Sequence, residues 1–293
     1  MTGVRGAARA ALSAFSCFWF LGILPAAAHG PLDEQILALT NQIQQDSQNA
    51  LLYLKRGELH GHHGDWEAAL SDYERAAELD PTLVAVDLAR GKTLLQAGHF
   101  EQAKVAIDRF LARHPDYGEV LATRARVLVK LGQNRAAVNA YTRAIAESRR
   151  LGRDIPEYYL ERARASAAEG DANIDEALCG LDEGLKALGP IVTLQLEAID
   201  LELTAKRYDA ALARLETIAA QSARKEAWLA RRGDILEQAG RVEEARVAYE
   251  QALAAMESLP ARHRKTRATT KLEAQIRAAL VRLGGVADKE ADL

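Results

Sequence analysis

Small, apolar and turn-forming residues return along this chain in a fixed order. In "LYLKRGELHGHHGDWEAALSDYERAAELDP" a small residue, a turn glycine, an alanine, an aromatic, a second alanine and a proline fall at Gly57, Gly64, Ala69, Tyr73, Ala76 and Pro81. Thirty-four residues on, the same steps reach Gly91, Gly98, Ala103, Ile107, Phe110 and Pro115, and one period later Ala125, Gly132, Ala137, Tyr141 and Ala144. A fourth copy, with two residues inserted in its turn, holds Ala163, Gly170, Ala177, Leu181 and Gly184. A degenerate fifth has Ile199, Lys206, Ala211, Leu215 and Ile218, and a cleaner sixth has Gly233, Gly240, Ala245, Tyr249 and Ala252. A period of this length predicts an array of helix pairs, each too small to bury its own apolar face without neighbours.

Each step has a physical role. The small residue of the first helix and the alanine opening the second let two antiparallel helices approach closely, and the glycine ends the first helix in a left-handed conformation. Tyr73, Tyr141 and Tyr249 fill the gap to the next pair, and Pro81 and Pro115 stop the second helix. Lys206 replaces the turn glycine in copy five and copy three lacks the closing proline, so irregular packing is predicted across residues 148–210. The ends read as caps. Residues 29–49 form an amphipathic helix with Leu32, Ile36, Leu39 and Ile43 on one face, opened by Pro31 and acidic residues. The repeats fill 50–260, a solvating helix follows over 261–284, and "GVADKEADL" (285–293) reads as a disordered tail.

This recurring ladder resembles the tetratricopeptide repeat family over about residues 50 to 260. The resemblance implies an all-α fold: a right-handed α-solenoid of about six helix pairs with N- and C-terminal capping helices, its concave groove lined by the first helix of each pair. The groove positions it implies are Glu58, Lys92, Arg126, Lys130, Arg164, Asp200, Asp234 and Glu237, basic in the middle and acidic toward the C-terminal end. Such a groove suits a partner peptide or loop with a carboxylate near its centre and basic residues beyond it. A groove whose charges pair among themselves is the competing reading. Arg126 and Lys130, one turn apart, match the carboxylate-clamp subgroup, but Glu58 and Lys92 stand where that subgroup presents asparagines.

Composition changes the picture at the N-terminus. Arg5 and Arg9, the apolar run "ALSAFSCFWFLGILP" and Ala26-Ala27-Ala28 read as an export signal over residues 1–28, too short for a membrane span. Cleavage would leave 265 of the 293 residues, no membrane span, and Cys179 as the one cysteine, so no internal disulfide. The place is the periplasm if the source is a Gram-negative bacterium, and otherwise the exterior. Losing the two arginines moves the net charge from −3 to −5, which gives no electrostatic case for nucleic acid.

No serine elbow, phosphate-cradling glycine loop, HExxH or paired cysteines occurs, so the reading is a noncatalytic scaffold without a cofactor. Cys179 reads as a small buried side chain, and Trp66 and Trp228 as packing residues. The chemistry left over lies in "HGHHGDW". As a turn, Gly64 ends one helix and Asp65 caps the next. As a site, His60, His62 and His63 share an edge with the mature N-terminal His29 and with His99 of the next turn, an imidazole and amine set suited to Cu(II), Ni(II) or Zn(II). A metal-binding, metallochaperone-like protein is therefore the alternative to the adaptor.

Overall fold

The 34-residue period becomes a chain of paired helices in the computed structural model, which describes residues 30–291. The leader read at residues 1–28, and His29, lie outside the described residues. A capping helix α1 (Pro31–Gln45) precedes six pairs: α2 (Ala50–His63) with α3 (Trp66–Leu79), α4 (Ala85–Gln96) with α5 (Phe100–Arg113), and α6 (Gly118–Lys130) with α7 (Asn134–Arg150). The pairs α8 (Pro156–Ala167) with α9 (Ile174–Leu188), α10 (Val192–Thr204) with α11 (Tyr208–Gln221), and α12 (Glu226–Gln238) with α13 (Val242–Glu257) complete the array. A one-turn helix α14 (Ala261–Arg264) and the long α15 (Arg267–Ala291) close it. Each helix packs mainly on its neighbours in the chain, and first helices also touch the next first helix, as in α2 with α4 and α8 with α10.

What lets the helices of a pair come so close is a missing side chain. A Cβ added at Gly57 would lie 2.7 Å from the Tyr73 ring, and one at Gly233 would lie 2.5 Å from Tyr249. Tyr73 is fully buried and reaches the next pair, its hydroxyl 3.2 Å from Thr93 Oγ1 of α4. In copy five the contact is evened out in size: Ile199 takes the small position and Leu215 the large one, both buried in one cluster.

The turns follow the same logic. Gly64, Gly98, Gly132 and Gly240 all have positive φ, and Lys206 adopts it too, at 58°. Its backbone bonds match those of the glycine turn: Arg207 N–H donates to Glu202 O at 2.8 Å as Arg241 N–H donates to Leu236 O at 2.9 Å. The two residues inserted in copy four are absorbed by a 3₁₀ turn at Asp171–Asn173. Without a closing proline α7 runs 17 residues, against 14 in α3 and α5.

Irregular backbone there does not mean an interrupted core. One buried cluster runs from Leu121 to Leu201, filled at the slipped register by Tyr159, Leu181 and Leu194. Arg149 Nη2 donates to the Tyr159 hydroxyl at 2.6 Å, and that hydroxyl donates to Asp154 at 2.9 Å, which ties the longer connection down. One sequence expectation is corrected. Cys179 is exposed, because a residue two beyond the buried Ala177 points to the opposite side of a helix. The helix α15 packs the buried Ile276, Ala279 and Leu283 against the last pair.

Candidate functional site: the row of first helices

Because the first helices lie side by side, a residue on one meets a residue about one period later on the next. Lys92 Nζ of α4 donates to Glu119 of α6 at 2.7 Å, and Arg126 of α6 pairs with Glu161 of α8 at 3.0 Å. Arg164 of α8 meets Glu197 of α10 at 2.7 Å. The polarity then reverses, with Asp200 of α10 paired to Arg231 of α12 at 3.0 Å and Glu237 of α12 to Arg282 of α15 at 3.2 Å. Asp234 and Glu237 also accept the buried Tyr249 hydroxyl, at 2.8 and 3.0 Å. Burial and those two carboxylates push the Tyr249 phenol far up, so it stays protonated and donates. Burial opposes the charge on Arg126, but its hydrogen bond and ion pair with Glu161 prevail and hold the guanidinium above its ordinary range.

The structure therefore places all eight sequence-predicted groove residues on first helices and spends most of their charge internally. Among the described residues, Glu58 and Lys130 are the two of the eight with no ion pair or hydrogen bond. Lys130 is exposed in the last turn of α6, and Glu58 lines a 420 Å³ cavity between α1 and α2 with Gln35, Leu39, Lys55, Leu59 and His62. The partners Glu119, Glu161, Glu197, Arg231 and Arg282 were not singled out in the sequence. For the first four the signal was available, as opposite charges on successive first helices spaced by 27 to 35 residues; Arg282 lies on the closing helix α15, 45 residues beyond Glu237.

The histidine stretch behaves as a helix end. Gly64 has φ 91° and closes α2. Asp65 is the first residue before α3 but makes no side-chain cap; its carboxylate instead lies 3.6 Å from His60 Nδ1, whose nitrogen is buried without a hydrogen bond. His63 Nδ1 lies 3.2 Å from Asp33, so the start of α1 does sit beside the end of α2. His62 turns to the α1–α2 cavity and His99 precedes α5. Among the described residues no group of three or more His, Cys, Asp or Glu side chains gathers closely enough to hold an ion. No described helix is long and apolar enough to cross a membrane.

Stacked helix pairs locked by a small residue against a large one, with a glycine turn between them, define an α-helical repeat array. The chain belongs to the tetratricopeptide repeat family: profiles described as tetratricopeptide repeat match residues 62–127 and 122–177, and one described as a tetratricopeptide repeat-like domain matches 159–274. The fold is similar to the C-terminal part of a TPR repeat-containing protein from Cytophaga hutchinsonii, with TM-score 0.63 and 14% identity over 78% of this chain and 92% of that one. It is similar to a tetratricopeptide repeat protein from Parabacteroides merdae, with TM-score 0.53 and 16% identity over 84% and 92%. It is also similar to YrrB, described as a TPR protein with an unusual peptide-binding site, with TM-score 0.51 and 20% identity over 73% and 98%. No curated protein sequence matches the chain. It is an all-α tetratricopeptide solenoid, a class of protein-interaction scaffold.

Proposed function

We propose that this chain is an exported, noncatalytic adaptor that holds an extended segment of a partner protein along its row of first helices. The observation that carries the reading is that two of the eight groove positions make no ion pair or hydrogen bond among the described residues: Lys130, exposed at the centre of the row, and Glu58, beside an open cavity at its N-terminal end. A segment with a carboxylate opposite Lys130 and a basic or donor group opposite Glu58 complements those two charges. Export is supported by the apolar run and alanine triplet before His29. Intact-mass measurement of protein from the export compartment tests it, and a mass retaining residues 1–28 would contradict cleavage.

A photo-cross-linking amino acid at Lys130 or Glu58 in the producing cell tests the groove. The reading expects the same partner from both positions and none from the exposed Val247 of α13, on the row of second helices. Equal capture from Val247 would overturn it.

A further inference from the structure

Charge is spread along this array far less evenly than the net −3 of the whole sequence suggests. Residues 30–80, which hold α1 and the first pair, carry ten acidic and three basic side chains. Residues 81–257 are nearly balanced, with 27 acidic and 25 basic. Residues 258–284, which hold α14 and most of α15, carry seven basic and one acidic. The N-terminal end of the solenoid is thus negative and the C-terminal end positive. The last nine residues add three acids and one lysine, but they begin beyond Gly284, which stands 13 residues along α15 from Lys271, about 20 Å at 1.5 Å per residue.

At both ends much of that charge is unpaired. Arg277 meets Glu273 at 2.8 Å and Arg282 meets Glu237 at 3.2 Å. The other five cations, Arg262, Arg264, Lys265, Arg267 and Lys271, are exposed and make no ion pair among the described residues. At the N-terminal end Glu34, Glu67 and Glu74 are exposed and make none either. The two capping helices each add an apolar contact. On α15, which packs its buried side on α13, the exposed Lys271, Ala274, Ala278 and Val281 share one face at steps of three and four. On α1, which packs on α2, the exposed Glu34, Leu37, Ala38 and Asn41 do the same. Val281 is 76% exposed and Leu37 61%. Each face joins an unpaired charge to an uncovered aliphatic side chain, and its alanines let another helix approach closely.

An anionic lipid surface or an acidic segment would answer the basic end and leave the acidic end unmet. A second copy of this chain answers both, since its N-terminal end complements the C-terminal end of the first. We propose that the protein associates head to tail, the outer face of α15 in one copy lying on the outer face of α1 in the next. The contact covers Val281 and Leu37 and brings Arg267 and Lys271 to the acidic end. Because the two surfaces differ, the contact is heterologous, and each step leaves a head and a tail free; assembly is open-ended unless the rotation closes a ring.

Sedimentation velocity on protein recovered from the producing cell, over a concentration series, tests this. At an ionic strength of about 0.01 M, where the Debye length is about 30 Å, the average mass should climb past that of a dimer; at about 1 M, where it is about 3 Å, the mass should return to the monomer's. Lys271→Glu with Val281→Glu should give monomers, and so should Glu34→Gln with Leu37→Gln. All four positions are exposed, so circular dichroism should be unaltered. Mixing the two double variants restores one intact contact per pair, and the mixture should stop at the dimer. Lys130→Ala should associate as the unmodified protein does, which separates this contact from the groove. A monomer at every concentration, association indifferent to either double variant, or a mixture that forms no dimer overturns the proposal. Binding to vesicles containing phosphatidylglycerol by a protein that stays monomeric would assign the basic end to a membrane and overturn it as well.

Discussion

Arg126 and Glu161 lie on consecutive first helices with guanidinium and carboxylate 3.0 Å apart. The residue that read as the basic centre of the groove is thus half of an internal pair. Exposed pairs of this kind contribute only about 0–1 kcal/mol to stability, so the ladder of such pairs matters less for folding than for recognition. It removes most of the row's charge from what a partner meets.

Replacing Gly233 by alanine should destabilise the array by about 1–3 kcal/mol, because the new Cβ meets the Tyr249 ring at 2.5 Å and a packed core does not yield freely. Urea midpoints measure the loss. Combining Gly233→Ala with Tyr249→Leu should recover part of it, since the copy-five pairing of Ile199 with Leu215 shows that a larger residue at the small position works against a smaller partner.

Lys206→Gly should stabilise the protein by about 0.5–1 kcal/mol. The left-handed conformation costs a residue with a Cβ roughly 1–2 kcal/mol, partly offset by the extra freedom glycine has in the unfolded chain. A rise in urea midpoint with unchanged slope is the expected readout.

Much of the fold was legible because its signals are steric and local. Gly57, Tyr73 and Gly64 each announce a close approach, a gap filled or a left-handed turn, and those requirements travel with the residue. Charge pairing was harder to read, because whether Arg126 is free depends on how far α8 is displaced along α6, an offset between repeats that one repeat's sequence does not state. Cys179 was misread for a simpler reason. It stands beside a landmark alanine in sequence, but a step of two on a helix faces the other way.

Asp108 lies between Arg124 at 2.6 Å and Lys104 at 2.9 Å. Burial raises its pKa, but the two cations outweigh that and hold the carboxyl below its ordinary value. A carboxylate depressed on folding adds stability that is fully present above the unfolded value, about 4, and is lost as pH falls through the folded one. Asp108→Asn should therefore flatten the acid side of the melting-temperature profile below about pH 4 and leave the shape above it unchanged; an unaltered acid limb would contradict the pairing.

The histidine turn makes a separate prediction. With His63 facing Asp33, His60 beside Asp65 and His62 turned to the α1–α2 cavity, chelator-treated protein should bind Cu(II), Ni(II) or Zn(II) no more tightly than micromolar in calorimetric titration. Tighter binding that is lost in His60→Ala with His63→Ala, or when a residue is added ahead of His29 in processed protein, would favour the metal reading instead.

The central claim is that a partner segment carrying a carboxylate binds the first-helix row through Lys130, the groove-position cation that makes no ion pair among the described residues. The measurement that tests it most directly is the affinity of the cross-linked segment, made as a peptide, for the unmodified protein, Lys130→Ala and Glu161→Gln. Lys130→Ala should weaken binding by about 1–3 kcal/mol, and Glu161→Gln, which releases Arg126, should strengthen it. Equal affinities in all three proteins, with the fold intact, would contradict the account.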